Sequence, residues 1–187
     1  HWNRVDSSDV TQQYFTNLCK EQPNKDITYL PQSVPFKSGN QFMNLGLAHC
    51  KYDYVAMVMN SIRVEPDWET IALQLFENDP KIGIVAPKNL LPEGTIESAG
   101  IAMQGHLPID IGRELPGHRL CGTYEVPATQ WAFAMHRKQA IVGNLDETIF
   151  HGFVGWDDID NCFAVRAKGW KIMYCGMGAG YHLPRAT

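Results

Sequence analysis

The sequence predicts an α/β domain built in layers, and three observations support this fold class. Two continuous apolar runs, at residues 54–59 and 82–86, are typical of strands buried on both faces of a sheet. Between them, Pro66 precedes a segment in which apolar residues recur at helical spacing from Trp68 to Phe76. Helical and extended segments alternate over the first half of the chain, which is the order of an α/β domain.

The flanking elements follow from the same patterns. Ahead of the first buried run, helical spacing predicts helices over residues 10–19 and 42–48, with a short strand at residues 27–30 between them. Beyond the second run, turn residues at 92–95 separate two short extended pieces. The remaining predicted elements are a long irregular loop at 104–124, a strand at 126–136, a short helix at 137–143, a helix after residue 156 and a last strand at 170–175.

Length and composition suit one globular domain. The chain has 187 residues, of which 44% are hydrophobic and 19% charged, enough for a sizeable core. A formal net charge of -4 provides no basic footprint for nucleic acid. No apolar run approaches the roughly 20 residues of a membrane-spanning helix. The 5 cysteines are scattered singly, which favours free thiols in a reducing compartment.

An acidic stretch near the carboxyl end is a candidate site. Asp157, Asp158 and Asp160 directly follow Gly155 and Trp156 at the predicted start of a helix. A carboxylate at such a junction suits a general base, because the loop exposes it and the helix holds it. Helix capping is the alternative, since Asp is favoured at helix starts and complements the positive end of the dipole. These residues alone leave both interpretations open.

Several segments resemble the motifs of one family, in order and across nearly the whole chain. They are residues 5–9 (VDNSSTD in the family), 44–55 (N-x-G-L-x-x-A…GDYV), 64–68 (V-x-P-D-W), 79–85 (D-P-x-I-G-x-V), 92–100 (PDGTIxxAG), 157–170 (EDVDLCLRxxxxGY) and 181–182 (YHH). On these motifs the sequence is identified as a member of the inverting family 2 glycosyltransferases of GT-A fold. It is most similar to the rhamnosyltransferase-like members that build bacterial or viral surface polysaccharides.

The resemblance implies a Rossmann-like α/β/α sandwich around a mixed, mostly parallel sheet. Residues 1–187 would form a single domain, with a nucleotide-binding part over about 1–88 and an acceptor and catalytic part over about 89–187. The family's first strand would precede Asp6 and is missing here, so the chain is expected to be part of a longer polypeptide. A cytoplasmic location is expected, peripheral to the membrane where the acceptor is lipid-linked.

The implied activity is transfer of a sugar from a UDP-, dTDP- or GDP-linked donor to a glycan or glycoconjugate hydroxyl, with inversion. Asp158 matches the family's base, and Asp157 replaces its Glu, where a like charge would raise the pKa of the base. Gly155, Trp156 and Trp131 are expected at the acceptor, because indole packs on the C–H faces of sugars. Either Trp could instead be core. Trp131 falls in a predicted strand, so Trp156 is the preferred platform.

The donor is assigned to three segments. Asp6, with Ser7 beside it, would bind the nucleotide base, or else cap the first helix. Lys37 precedes a helix and would reach the diphosphate together with backbone N–H groups, or else be a solvated surface lysine. Asn60 and Ser61 stand where the family has its D-x-D or NND sequence. From loop 104–124, the candidates for substrate contact are His106, Arg113 and His118.

The resemblance implies Mn²⁺ or Mg²⁺ at the diphosphate, but its carboxylate ligands are absent. Asn60 and Ser61 offer only neutral oxygens, which are weaker ligands for these ions. Ser61 and His182, which matches the family's closing His, are the candidate ligands; a structural role is the alternative for His182. The rival hypothesis is a catalytically degenerate domain that binds a sugar nucleotide or glycan without transfer. A dinucleotide-binding oxidoreductase is disfavoured, because no G-x-G-x-x-G follows a strand.

Overall fold

The computed structural model describes residues 8–23, 25, 30, 38–141, 143, 145–148 and 156–183. The helices among them are α1 (Ser8–Glu21), α2 (Gly39–His49), α3 (Trp68–Asn78), α4 (Lys138–Ile141) and α5 (Asp157–Ala167). The strands are β1 (Tyr54–Val58), β2 (Ile62–Val64), β3 (Ile82–Leu90), β4 (Ile96–Ser98), β5 (Ile101–Gln104), β6 (Leu107–Asp110), β7 (Thr123–Glu125), β8 (Phe133–Arg137) and β9 (Lys171–His182).

The main sheet is mixed, in the order β1-β8-β3-β9-β2, with β4 paired to β3 and β7 to β9. The α/β class and the mixed sheet are confirmed. A parallel majority is wrong for the described strands, because β3 and β9 pair parallel whereas the other pairs of this sheet are antiparallel. Between β3 and β8 the chain turns back through short strands instead of a crossover helix, which places β8 antiparallel to β3.

Helices cover both faces of the sheet. All nine residues of β3 are buried, and Ile84, Val85 and Ala86 alternate between two hydrophobic clusters. Ile84 belongs to the cluster that includes Leu47 of α2 and Val165 of α5, and Val85 to the cluster with Phe76 of α3. The α5 helix is thereby packed on the sheet face that also carries α2, which brings its first turn to one end of α2.

Three predicted segments differ from the structure. The predicted strand at 126–136 is shorter, since β8 begins at Phe133 and Trp131 lies in the turn before it. The predicted irregular loop at 104–124 contains β6 and the start of β7, which are stabilised by pairing with β5 and β9. The last strand extends to His182, because β2 pairs with its far end. The predicted strand at 27–30 falls mostly outside the described residues. Among those that are described, no helix has the length and hydropathy of a membrane span.

Candidate active site

A cavity of about 660 Å³ lies between α2, β1, the first turn of α5 and the β5–β6 hairpin. Its apolar wall comes mainly from α2 and β1, with Phe42 and Met57 as examples. The acidic and histidine side chains of its described lining are Glu97, Asp110, Asp157, Asp158 and His182, with no Lys or Arg. The cavity is therefore acidic at one end and apolar at the other.

Asp157 and Asp158 begin α5 and face this cavity. The helix is capped by Trp156, which makes no side-chain capping bond, and the backbone N–H of Asp160 donates to the carbonyl of Trp156. The three acidic residues lie inside the first turn, where the dipole favours them, but none occupies the cap position. Neither carboxylate is the N-cap, although both lie where they complement the dipole, and both residues line the cavity.

The pKa of Asp158 is raised to about 7, chiefly because the carboxyl is buried. The negative charge of Asp157 raises it further, and that of Asp110 adds a smaller effect. Hydrogen bonds from backbone N–H groups, including Ile159 at 2.8 Å, oppose the shift. A carboxyl that titrates near neutral pH can accept a proton from a reacting hydroxyl under physiological conditions.

NMR provides a direct check of this shift. The side-chain carboxyl carbon of Asp158 is expected to titrate near pH 7, and the midpoint is expected to fall in Asp157→Asn, which removes the adjacent charge. The substitution leaves the other carboxylates of the described lining, Glu97 and Asp110, and its histidine, His182, in place. A wild-type midpoint near the ordinary Asp value of about 4 would show that the carboxyl is not desolvated.

Gly39 allows Asp157 to approach the start of α2. A Cβ placed on Gly39 would lie 2.6 Å from Oδ2 of Asp157, so the carboxylate lies where a side chain would otherwise be. Gly39 is the first residue of α2, after the N-cap Ser38, whose side chain accepts from the backbone N–H of Gln41 at 3.3 Å. The positive end of the α2 dipole therefore faces Asp157.

A buried pair of amides joins the same two helices. Nδ2 of Asn161 donates to Oδ1 of Asn40 at 2.9 Å, and both residues are fully buried. Nδ2 of Asn40 then donates to the backbone carbonyl of Asp146 at 2.6 Å. Buried amides make such bonds because an unpaired polar group is costly in the core. This network positions the first turn of α5 against α2.

Trp131 and Trp156 lie in different places. Trp131 is buried, lines the cavity, and donates its Nε1–H to Sγ of Cys162 at 3.2 Å. Trp156 is 41% exposed and is not part of the described cavity lining. The sequence favours Trp156 as the acceptor platform because it predicts that Trp131 lies in a strand. Trp131 lies outside β8, so the structure does not support that preference. Trp131 is the indole that contacts this cavity.

His182 is held by a carboxylate that the sequence analysis did not select. Its Nδ1 lies 2.8 Å from Oε2 of Glu97, and both residues line the cavity. Ser61 is close to His182 along the sheet, since Leu183 donates its N–H to the Ser61 carbonyl at 2.7 Å. Neither Ser61 nor the exposed Asn60 lines the cavity.

The described residues do not form a site for Mn²⁺ or Mg²⁺. They contain no group of three or more His, Cys, Asp or Glu side chains placed to hold a metal ion. Ser61 contributes no carboxylate, and an ion held by Glu97 and His182 would take its remaining ligands from diphosphate oxygens and water. Asp6, Ser7, Lys37 and Gly155 lie outside the described residues, so their assignments stay predictions.

The fold can be compared with solved structures. The crystal structure of GalNAc-T7 with UDP, GalNAc and Mn²⁺ aligns over 98% of this chain with a TM-score of 0.72 and 13% sequence identity. The chain has the GT-A fold. It covers 36% of the GalNAc-T7 chain. A197 from STIV aligns over 78% of this chain and 65% of that one at 13% identity, with a TM-score of 0.49, too low to indicate a shared fold.

Sequence comparison adds one relative of the GT-A domain. The uncharacterized protein y4gI of Sinorhizobium fredii (strain NBRC 101917 / NGR234) is 27% identical over 196 residues, which cover 98% of this chain. The chain spans 21% of the length of y4gI. No protein-family model matches the chain.

Three cavity residues with a role in the geometry of the site were not predicted from the sequence. Glu97 and Asp110 are cavity carboxylates, and Gly39 accommodates Asp157. Glu97 lies within the motif at residues 92–100, but nothing in that motif indicates its partner. The alternation of Leu107 and Ile109 with Pro108 and Asp110 is the signal that would have revealed a strand at β6.

Proposed function

We propose that this GT-A domain is an inverting glycosyltransferase with Asp158 as its general base. It would move a sugar from a nucleoside-diphosphate donor to a hydroxyl of a glycan or glycoconjugate, in the manner of family 2 enzymes of polysaccharide biosynthesis. The observation that carries the proposal is Asp158 itself, a cavity carboxyl with a pKa of about 7 at the start of α5. The fold shared with GalNAc-T7, crystallised with UDP and GalNAc, supports the glycosyl-transfer part of the proposal.

The proposed reaction needs one proton acceptor and one leaving group. An acceptor hydroxyl hydrogen-bonds to Asp158 and attacks the anomeric carbon from the face opposite the nucleotide. The bond from that carbon to the acceptor oxygen forms as its bond to the diphosphate oxygen breaks, and the hydroxyl proton passes to Asp158. Attack from the opposite face inverts the anomeric configuration. A positioned base of this kind contributes about 10²–10⁴-fold to the rate.

The other roles are assigned partly to described residues of the cavity and partly to residues outside the described ranges. Trp131 and Gly155 would contact the acceptor. Asp6 and Ser7 would bind the nucleotide base, and Lys37 the diphosphate. His182, oriented by Glu97 through Nδ1, would hydrogen-bond the departing diphosphate with its other ring nitrogen. No step is assigned to a metal, because the described residues do not form a metal site.

Isothermal titration with UDP, dTDP and GDP, each with and without MnCl₂, tests the donor half of the proposal. We expect one nucleotide to bind more tightly than the other two by about tenfold or more. The matching nucleotide sugar should then be hydrolysed slowly in the absence of acceptor. Proton NMR of a transfer product should show the anomeric configuration opposite to that of the donor. Retained configuration would overturn the inverting mechanism, and absence of any nucleotide binding would overturn the donor assignment.

A degenerate domain that binds a sugar nucleotide or glycan without transfer is the second candidate. It is favoured by the neutral residues Asn60 and Ser61, which leave no carboxylate in the β1–β2 turn for a metal–diphosphate complex. Metal-independent nucleotide binding, with neither hydrolysis nor transfer after prolonged incubation, would support this candidate. Metal-independent transfer would instead support the enzyme.

A further inference from the structure

The two faces of strand β6 differ: an apolar face is exposed to solvent, and the opposite face, which carries Asp110, lines the cavity. Leu107 and Ile109 are 65% and 43% exposed, whereas Pro108 and Asp110 line the cavity. This is the two-residue alternation of a strand. Asp110 is therefore a charged residue of the β5–β6 hairpin that lines the cavity, although the opposite face of the same strand is exposed to solvent.

Asp110 is held in this position by two successive amides. Nε2 of Gln130 donates to Oδ1 of Asp110 at 3.0 Å, and Nδ2 of Asn89 donates to Oε1 of Gln130 at 3.0 Å. Asn89 lies on the buried strand β3, is 3% exposed, and leaves its Oδ1 without a partner among the described residues. The unpartnered Oδ1 of Asn89 is costly, whereas its Nδ2 is satisfied by Gln130, whose own amide orients Asp110. Ser98 also hydrogen-bonds to Asp110, and the exposed Arg113 pairs with its Oδ2 at 3.4 Å.

Gln130, whose side chain binds Asp110, is also the chain neighbour of a residue that contacts the proposed base. Gln130 is followed in the chain by Trp131, whose backbone bonds to Asp158. Burial raises the pKa of Asp110; hydrogen bonding to Ser98 and the charge of Arg113 oppose this shift, and the charge of Glu97 adds to it. The net effect is still that of a carboxyl that costs free energy to desolvate, and a neutral side chain would line the cavity at less cost. Carboxyls whose pKa is shifted by burial in a cavity are found preferentially at functional sites.

We propose that Asp110 is a specificity-determining residue of the acceptor site and that Gln130 is its positioning residue. Asp110 accepts a hydrogen bond from a second hydroxyl of a saccharide whose first hydroxyl faces Asp158. The site thus selects sugars with two suitably spaced hydroxyls over deoxy analogues that lack one of them. The inference rests on the proposed glycosyltransferase function and adds the chemical feature that the acceptor must carry.

The test uses the folded chain saturated with whichever nucleoside diphosphate binds, and follows ¹⁵N amide shifts during titration with methyl pyranosides. The panel consists of the gluco, galacto, manno and rhamno methyl glycosides and their monodeoxy analogues. We expect wild type to bind at least one glycoside, and Asp110→Asn to weaken it by about tenfold or more. The preference over the deoxy analogue should shrink in the same variant. Gln130→Ala should also reduce that preference, which a purely structural residue would not change.

Ile109→Thr, on the solvent face of β6, is the matched control and should bind like wild type. Equal glycoside affinities in wild type and Asp110→Asn would overturn the inference, as would the absence of any binding glycoside from the panel. Nucleotide affinity, measured separately, tests the proposed function. Loss of glycoside selectivity with unchanged nucleotide binding supports the inference, whereas absence of nucleotide binding in wild type counts against the function on which it rests.

Discussion

Replacing Asp158 with Asn is expected to lower transfer by about 10²–10⁴-fold, with nucleotide affinity changed by less than about twofold. Asn keeps the shape of the side chain but cannot take the acceptor proton. The effect should therefore appear in kcat, because the base acts in the transition state. Initial rates with the matching nucleotide sugar, together with isothermal titration of its nucleotide, measure both quantities. Transfer at the wild-type rate would show that another group is the base.

Asp160→Asn is the matched control, since Asp160 is exposed in the same helical turn. A second readout separates lost chemistry from lost structure. Because the folded-state pKa of Asp158 is above its ordinary value, the free energy of unfolding should fall as pH rises from about 4 to about 7. The Asn variant lacks this ionisation and should be more stable than wild type at about pH 8, by about 1–3 kcal/mol. A less stable variant would indicate that the fold was damaged.

Replacing Lys88 with Ala is expected to reduce the free energy of unfolding by about 3 kcal/mol. Lys88 is 3% exposed, and its Nζ donates to the carbonyls of Gly117 and Arg119 at 2.7 Å each. Its removal leaves two carbonyls without their partner and opens a cavity beneath the loop before β7. Urea denaturation measures the loss. Trypsin should also cut faster after Arg119 in this variant, because the loop is no longer tied to β3.

Lys81→Ala provides the comparison at an exposed lysine, where a change within about 0.5 kcal/mol is expected. If Lys88→Ala were as stable as Lys81→Ala, the two carbonyl bonds would contribute little net stability. If stability fell while the trypsin rate after Arg119 stayed at the wild-type value, the lysine would support the core without holding the loop.

The two parts of the predicted division, about 1–88 and about 89–187, both contribute to the cavity. Ser38 and Met57 come from the first part, and Asp110 and Asp158 from the second. The sequence predicted that Asp158 lies at a helix start beside Asp157. The structure shows in addition that Asp158 is buried, which raises its pKa. Burial depends on which residues pack against Asp158, so the size of its pKa shift could not be predicted from a sequence pattern.

The features that could be predicted from the sequence are those encoded in neighbouring residues. Apolar runs located β1 and β3, helical spacing located α3, and the acidic stretch marked the start of α5. Contacts between distant segments required the folded structure; examples are the His182–Glu97 pair and the Lys88 bonds to Gly117 and Arg119. The folded structure also put Trp131, and not Trp156, on the cavity wall. Hydrophobic periodicity and turn residues depend on neighbouring positions in the chain. The contacts between distant residues depend instead on how strands far apart in the chain pair.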